Sequence, residues 1–176
     1  MLSHLPITSS SLTIRAFTMA DVSKVFQMSQ EKGMRQWIAD QVYHDEAQTT
    51  DVLKFLKSQY HDDASPAISP CVLGVCLRST NELIGHVGLS PAKDGVEIGY
   101  AIAEAHQGRG YATEAVTAMA LWGHKAFGLP KILGIVAADN VGSCRVLEKS
   151  GFVFSKEHFG KMHEWEGVIK TYERLF

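Results

Sequence analysis

Cysteine is scarce in this chain, and its spacing is irregular. Cys71, Cys76 and Cys144 are too few and too unevenly placed for a disulfide framework or a zinc site. Eight histidines are scattered along the chain, and none stands at metal-ligand spacing beside a cysteine or a carboxylate. We therefore expect no bound metal.

Long apolar runs are also missing. No stretch approaches the length of a membrane span. The first residues show no basic region followed by a long apolar run, as a signal peptide would. We expect no association with a membrane, and a reducing cytoplasm is the default location.

A strong excess of either charge is absent as well. The chain has 17 lysines and arginines against 19 acidic residues, so its formal net charge is −2. The lack of a global basic bias argues against nucleic acid as a partner. A length of 176 residues fits one domain, residues 1–176, and a hydrophobic content of 45% allows a sizeable core.

Along the chain, segments in which apolar and polar residues alternate are followed by segments whose apolar residues have helical spacing. Thr18 and Asp21 are typical of a capping box at a helix start, and Val52, Phe55 and Leu56 predict the buried face of a second helix. The order of the predicted strands and helices indicates an α/β fold of the mixed α+β kind, with one mostly antiparallel sheet and helices on its faces. The predicted strands are 12–17, 71–77, 83–89, 96–103, 131–138, 152–159 and 168–175; the later predicted helices are 45–60, 110–127 and 141–149; turns are predicted at 79–82 and 91–95.

A glycine-bearing turn joins the strand at 96–103 to the best helix of the chain. It has the sequence Gln107-Gly108-Arg109-Gly110-Tyr111-Ala112. Glycine lets a backbone approach a ligand closely, and free amides at a helix start attract phosphate. We expect the amides of this turn to bind a pyrophosphate, with Arg109 adding a cation. Within the helix, four residues are spaced for burial: Ala115, Met119, Trp122 and Ala126.

The turn is open to two other interpretations. It could be an ordinary tight turn that caps a long helix. It could also begin the Gly-x-Gly-x-x-Gly fingerprint of a dinucleotide site, but the third glycine position is Thr113 and the preceding strands form an antiparallel meander. The dinucleotide interpretation is therefore set aside.

A second motif follows about 30 residues later and makes the first more specific. The signature Gln/Arg-x-x-Gly-x-Gly/Ala is met by the turn, and Asn-x-x-Ser/Ala followed by Glu-Lys-x-Gly-Phe is met from Asn140 to Phe152. With both motifs in order, the chain resembles the GCN5-related N-acetyltransferase (GNAT) family. Within it, the chain is most similar to the branch that acetylates N-terminal amines of ribosomal proteins, the RimJ/RimL-like branch. The matching residues are Gln107, Gly110, Ala112, Asn140, Ser143, Glu148, Lys149, Gly151 and Phe152.

The resemblance implies a site for acetyl-CoA between diverging strands. Its pantetheine would lie along Tyr100, Ala101 and Ile102, pairing like an extra strand, with the Ile102 amide near the thioester. The next strand, from Lys131, would diverge to open the cleft. Asn140 would bind the pantetheine amide. The expected cofactor-binding residues are Tyr100, Ala101, Ile102, Gln107, Gly108, Arg109, Gly110, Tyr111, Ala112, Thr113, Asn140 and Ser143.

Acetyl transfer also requires groups that move protons. Glu97 is the candidate general base, because the family often places a glutamate on this strand; a solvated strand glutamate is the competing interpretation. Ser143 is the candidate partner of the departing sulfur, although Asn140 and Ser143 could simply cap a helix. The family's frequent tyrosine acid is replaced by Leu147, so that source of a proton is excluded. Cys144 has no partners that would mark an activated nucleophile.

Several further residues are expected to have ordinary roles. Glu114 is expected to be a structural partner and His106 a surface residue. Trp37, Trp165, Tyr43, Glu164 and Glu166 could line an acceptor pocket or could be core, rim or solvated residues.

The resulting hypothesis is an enzyme that acetylates a primary amine, either a protein N-terminus or a small molecule, within a ternary complex. The alternatives are a non-catalytic sensor that keeps the CoA cleft, and a nucleotide-binding protein. A monomer and a homodimer both remain open.

Overall fold

The computed structural model describes residues 5–162 and 164–176. Its strands are β1 (Ile7–Thr8), β2 (Leu12–Arg15), β3 (Cys71–Leu77), β4 (Leu83–Ala92), β5 (Gly95–Ile102), β6 (Lys131–Ala137), β7 (Val153–Met162) and β8 (Trp165–Leu175). Its α-helices are α1 (Val22–Ser29), α2 (Lys32–Trp37), α3 (Glu46–Ser58), α4 (Tyr111–Phe127) and α5 (Val141–Lys149), and short 3₁₀ turns occupy Met19–Asp21, Ala39–Gln41 and Glu104–His106.

The eight described strands form one mixed sheet in the order β1-β2-β3-β4-β5-β6-β8-β7. Neighbouring strands are antiparallel except β5 and β6, which are parallel. The predicted mostly antiparallel sheet is therefore confirmed. Within the described residues, no helix is both long and apolar enough to traverse a lipid bilayer.

Some predicted bounds were right and others were wrong. β3 and α5 span the predicted residues. The turn predicted at 91–95 is shorter than expected, because β4 continues through Pro91 to Ala92. Proline is tolerated at this position because β4 has only one neighbouring strand there. The first residue of β3, Cys71, pairs with Leu89, and beyond Leu89 only β5 pairs with β4. β1 and α2 were not predicted, because two and six residues are too short to show a period.

Two hydrophobic clusters lie on the faces of the sheet. The larger one packs α4 and α5 against the central strands, with Val116 and Met119 fully buried. Helix α4 lies close to the sheet because Gly123 faces Leu89, where any side chain would clash. The second cluster joins α1 and α3 to β3 and β4. Helices thus cover the sheet, as predicted.

Two predicted core positions are wrong. Phe55 is 50% exposed, whereas Leu53, which was not predicted, is buried at 1%. Thr49, Leu53 and Leu56 form the buried stripe of α3, and Phe55 lies off that stripe. Ala126 is exposed because it lies in the last turn of α4, although the other three predicted positions of that helix are buried.

The capping box at Thr18 is confirmed and is reinforced by an arginine. The Asp21 carboxylate accepts hydrogen bonds from the Thr18 amide (2.7 Å) and hydroxyl (3.0 Å). Arg15 donates to both Asp21 oxygens at 2.8 and 2.9 Å. Burial alone would raise the pKa of Asp21, but the hydrogen bonds from Arg15 and Thr18 outweigh it and hold the pKa below its ordinary value.

Candidate active site

The two central strands separate after a single paired position. β5 and β6 pair only at Glu97 and Leu133, whereas β5 pairs with β4 along its whole length. The splay predicted at this point is confirmed. It opens a cleft of about 870 Å³ between β5, β6, the start of α4 and the start of α5.

The edge of β5 that faces this cleft offers backbone hydrogen-bonding groups. The Ala103 amide donates to the Ile84 carbonyl of β4 at 2.8 Å. Because backbone groups alternate sides along an antiparallel strand, the Ile102 amide points away from β4 and toward the cleft. The Ile102 carbonyl points the same way, since it accepts a 2.8 Å hydrogen bond from Nε2 of Gln107.

The glycine-bearing turn lies at the mouth of the cleft and is exposed. Gly108 and Gly110 have φ values of +74° and +83°, which side-chain-bearing residues rarely adopt, and no heavy atom lies within 4 Å of a Cβ built at either. Gly110 is the N-cap of α4, and its carbonyl accepts the first helical bond, from Glu114 at 3.0 Å. The amides just inside the helix therefore have no helical acceptor and are free for an anion.

Gln107 and Glu114 fix this turn in place. The Gln107 side chain ties the turn to β5 through its Nε2 atom. One Glu114 oxygen accepts from the Ser9 hydroxyl (2.8 Å) and the Ser11 amide (2.6 Å), which confirms its structural role.

The second motif forms the opposite wall of the cleft. Oδ1 of Asn140 accepts from the Ser143 amide at 3.2 Å, so Asn140 caps α5. The Tyr100 hydroxyl donates to the Ser143 carbonyl at 2.9 Å. Burial raises the pKa of Tyr100 well above its ordinary value, so this hydroxyl remains a protonated donor.

Glu97 lies at the position where the strands separate. It stands opposite Ser90 in the register of β4 and β5, and it is half-buried in the cleft wall. Residues two apart on a strand share a face, so Glu97 projects on the same side of the sheet as Ala101. That side is the one covered by α1 and α3.

All but one of the predicted site residues line this cleft. Arg109 is exposed on the turn and is not part of the lining, so a cationic role for it stays a prediction. The lining residues are Glu97, Tyr100, Ala101, Ile102, Gln107, Gly108, Gly110, Tyr111, Ala112, Thr113, Asn140 and Ser143.

His106 differs from its predicted place on the surface. Its side chain is only 13% exposed and lines the cleft, with Nε2 at 3.3 Å from a Glu82 oxygen. Its Nδ1 is buried and has no hydrogen-bond partner among residues 5–162 and 164–176.

A second cavity, of about 280 Å³, adjoins the cleft on the face covered by α1 and α3. Two of the aromatic residues considered for an acceptor pocket line these spaces. Trp37 lines the cleft, and Tyr43 lines the second cavity. Trp165 lies beside Trp37 in a tilted arrangement, with 6.4 Å between the ring centroids and an angle of 56° between the ring planes. Glu164 lies 3.9 Å from Lys161 on the closing hairpin, as an ordinary exposed pair.

His86 lines the second cavity and was missed from the sequence. It lies opposite Ala101 in the register, so its ring projects on the Ala101 side of the sheet. Burial lowers the pKa of His86 to about 4. The only signal in the sequence was a polar residue at one position of the apolar strand β4. No group of three or more metal-ligating side chains occurs in the described part of the chain.

Comparison with known proteins agrees with this architecture. Residues 11–153 match the family model described as an acetyltransferase (GNAT) domain. The chain is 29% identical over 164 residues to the uncharacterized N-acetyltransferase YnaD of Bacillus subtilis (strain 168), covering 90% of this chain and 91% of that one. The chain therefore belongs to the GNAT acetyltransferase family, and it is an acyl-CoA-dependent acetyltransferase.

Solved structures share the fold at low sequence identity. A GNAT-family acetyltransferase from Bacillus anthracis superposes with a TM-score of 0.80 at 24% identity, over 97% of this chain and 98% of that one. RimL, a ribosomal L7/L12 alpha-N-protein acetyltransferase in complex with coenzyme A, superposes with a TM-score of 0.82 at 16% identity, over 97% of both chains.

Proposed function

We propose that this chain transfers the acetyl group of acetyl-CoA to a primary amine by direct attack in a ternary complex. The observation that best supports this proposal is the open turn from Gln107 to Ala112, which lies at the mouth of a cleft between splayed strands. Family membership supports the reaction class, and the RimL structure contains coenzyme A in the same fold.

The residues present suit coenzyme A. The unbonded amides at the start of α4 and the open space over Gly108 and Gly110 suit its pyrophosphate. The Ile102 amide at the edge of β5 suits a pantetheine amide or the thioester oxygen.

In the proposed reaction the amine nitrogen attacks the thioester carbon, a C–N bond forms and the C–S bond breaks. The proton leaving the amine passes to Glu97 directly or through water. The departing thiolate accepts a hydrogen bond from Ser143 and takes its proton from water, directly or relayed through that hydroxyl, which water reprotonates. The Ile102 amide would stabilise the oxyanion that develops between these steps.

Direct attack is favoured over an acetyl-enzyme. Cys144, the cysteine nearest to the site, is 7% exposed and does not line the cleft. Its Sγ is turned toward the Ala137 carbonyl at 3.9 Å. A thiol so placed is not available to a thioester in the cleft.

The acceptor is a protein N-terminus or a small-molecule amine. The RimL neighbour acts on ribosomal L7/L12 and supports placing this chain in the RimJ/RimL-like branch. One domain over residues 1–176, a cytoplasmic location and a monomeric or homodimeric state remain part of the proposal.

A two-step experiment tests this function. Thermal unfolding with CoA, NAD and ATP at 100 times a typical Kd should show stabilisation by CoA alone, of about 2.7 kcal/mol. Release of free CoA thiol from acetyl-CoA should then appear with at least one class of amine. Stabilisation by NAD or ATP alone would reject the proposal, and CoA binding without turnover on any amine would favour the sensor.

A further inference from the structure

The cavity on the α1 and α3 side has an apolar interior. Its walls come from α1, α3 and the strands β3 to β5, and they consist mainly of aliphatic, methionine and aromatic side chains. They include Phe17, Val25, Met28, Val52, Leu53 and Phe55. Its volume of about 280 Å³ is slightly below the usual range of ligand pockets, about 300 to 1,000 Å³, so it suits a small group.

This apolar cavity is continuous with the cleft at the reactive end of the proposed site. Ser90, Ala101 and Ile102 line both spaces. Ala101 and Ile102 are the residues along which the thioester is proposed to lie. A group that enters from the apolar cavity would therefore meet the thioester from the side opposite α4 and α5.

Charged groups are confined to the junction of the two spaces. Glu31 and Asp40 line both the cavity and the cleft, and they are the carboxylates in the lining of the cavity. One Glu31 oxygen accepts the Glu104 amide at 2.9 Å, which fixes that carboxylate beside the 3₁₀ turn. The junction can hold an ammonium group, and the rest of the cavity lining has no carboxylate to pair with a distant second one.

His86 lies in the same wall but does not supply an anion. Its ring is neutral at ordinary pH, because burial lowers its pKa to about 4. The Tyr43 hydroxyl in the cavity is likewise neutral, since burial raises its pKa. The inner part of the cavity is thus apolar with neutral polar groups, which suits a hydrocarbon body better than a polycation.

Resting on the proposed function, we propose that this cavity binds the apolar body of the acceptor, and that the acceptor is a small primary monoamine carrying an alkyl or aryl group. The amine would lie at the junction near Glu31, Asp40 and Ala101, and the hydrocarbon would fill the space between α1, α3 and the sheet.

A homologous series of linear monoamines, from propylamine to octylamine, tests this assignment. We expect kcat/KM, measured by thiol release, to rise about fourfold per added methylene, the equivalent of about 0.8 kcal/mol per buried CH₂, until the cavity is full. Spermidine and a serine-initiated peptide should react more slowly than hexylamine.

A cavity-filling variant provides the structural control. Val25→Phe should raise KM for hexylamine at least tenfold while leaving propylamine almost unchanged, since the larger ring shortens the cavity. Val22→Phe, on the same helix but outside the lining, should leave the length dependence as in the unmodified protein. CoA-induced thermal stabilisation of both variants verifies that they fold.

A binding measurement without turnover gives a second readout. Calorimetric titration with hexylamine in the presence of CoA should show a negative heat-capacity change, as expected for burial of apolar surface. That change should be lost in Val25→Phe and retained in Val22→Phe.

Failure of the apolar-acceptor assignment and failure of the proposed acetyl transfer give different results in these experiments. A flat length dependence, or a preference for spermidine or the peptide with thiol release intact, would overturn this assignment and leave the proposed function standing. CoA stabilisation with no thiol release from any amine would overturn both.

Discussion

The Tyr100 hydroxyl donates a 2.9 Å hydrogen bond to the Ser143 carbonyl and so links β5 to α5 across the base of the cleft. The two residues are 43 positions apart in the chain. Burial keeps the hydroxyl protonated by raising its pKa. The bond joins the two walls whose separation defines the proposed cofactor site.

Tyr100→Phe removes this link while keeping the ring. We expect a loss of about 1 kcal/mol in the free energy of unfolding, the usual value for one hydrogen bond, and weaker CoA binding because the walls are less firmly held. Urea unfolding and CoA titration measure the two effects. Tyr111→Phe is the control for stability, since no described residue bonds its hydroxyl; an equal loss there would contradict the assigned link.

Gly110 and Gly128 provide a matched pair at the two ends of α4. Both have left-handed backbones, at φ +83° and +66°, and both face open space. Gly110→Ala and Gly128→Ala should each cost about 1–2 kcal/mol of stability through backbone strain. Only Gly110→Ala should also weaken CoA binding, by tenfold or more, because only Gly110 lies in the proposed phosphate turn.

Thermal unfolding with and without CoA separates the two effects. If both alanine variants bound CoA as the unmodified protein does, the turn at Gly110 would not be the phosphate site.

Local patterns in the sequence were sufficient to predict most of the sheet and the phosphate turn. β3 is recognisable as a continuous, partly β-branched apolar run of seven residues, and Gly108 and Gly110 mark a backbone that only glycine adopts readily. α2 was not predictable in this way, since it is six residues long and contains Gly33.

The second cavity was beyond prediction for a different reason. His86 contacts it only because the register of β4 sets it opposite Ala101, and because α1 and α3 are held over that face. Such contacts depend on pairings between distant segments, which no local period encodes. Phe55 was misplaced for a related reason, because the orientation of α3 against the sheet selects Leu53 for the core.

Glu97→Gln tests the proposed general base. The amide cannot accept the proton of the amine, so we expect kcat to fall between about 10² and 10⁴-fold. The shape of the pH–rate profile should also change, because the amine then loses its proton to water instead of a carboxylate. Stopped thiol-release assays across the pH range measure both.

The same substitution at Glu157, which is exposed on β7, serves as the control. An unchanged rate and an unchanged profile in Glu97→Gln would remove Glu97 from the mechanism and leave water as the base.

The Asp21 carboxylate is expected to contribute to stability in a pH-dependent manner. Since its pKa is below the ordinary value in the folded state, its contribution is present above the pKa of the unfolded chain and is lost as pH falls through the folded pKa. Asp21→Asn should cost roughly 2 kcal/mol near neutral pH. That is less than the cost of breaking a fully buried pair, because the Arg15 side chain is 22% exposed.

Urea unfolding at pH 7 and at pH 3 measures this contribution. The gap between the variant and the unmodified protein should narrow at the lower pH. Asp51→Asn, in an exposed pair with Lys54, should change stability little at either pH.

His86 differs from Asp21 in that the folded protein favours its neutral form. Burial lowers the pKa of His86 to about 4 from an ordinary value near 6.5. The unfolded chain therefore binds a proton that the folded chain rejects between these two pH values. The stabilising contribution is complete above about pH 6.5 and is lost as pH falls toward 4, by at most about 3 kcal/mol. His86→Gln removes the titrating group and should flatten that part of the stability profile.

The other titratable groups that line the cavity with His86 are Glu31, Asp40 and Tyr43. The control for the profile of stability against pH is His158→Gln, because His158 is an exposed histidine on β7. Since His158 is exposed, its removal should leave the slope between pH 4 and 6.5 as in the unmodified protein. If His86→Gln also left the slope unchanged, the imidazole would be solvated in the folded state. The cavity wall at β4 would then be wet, and its neutrality would no longer favour an apolar acceptor.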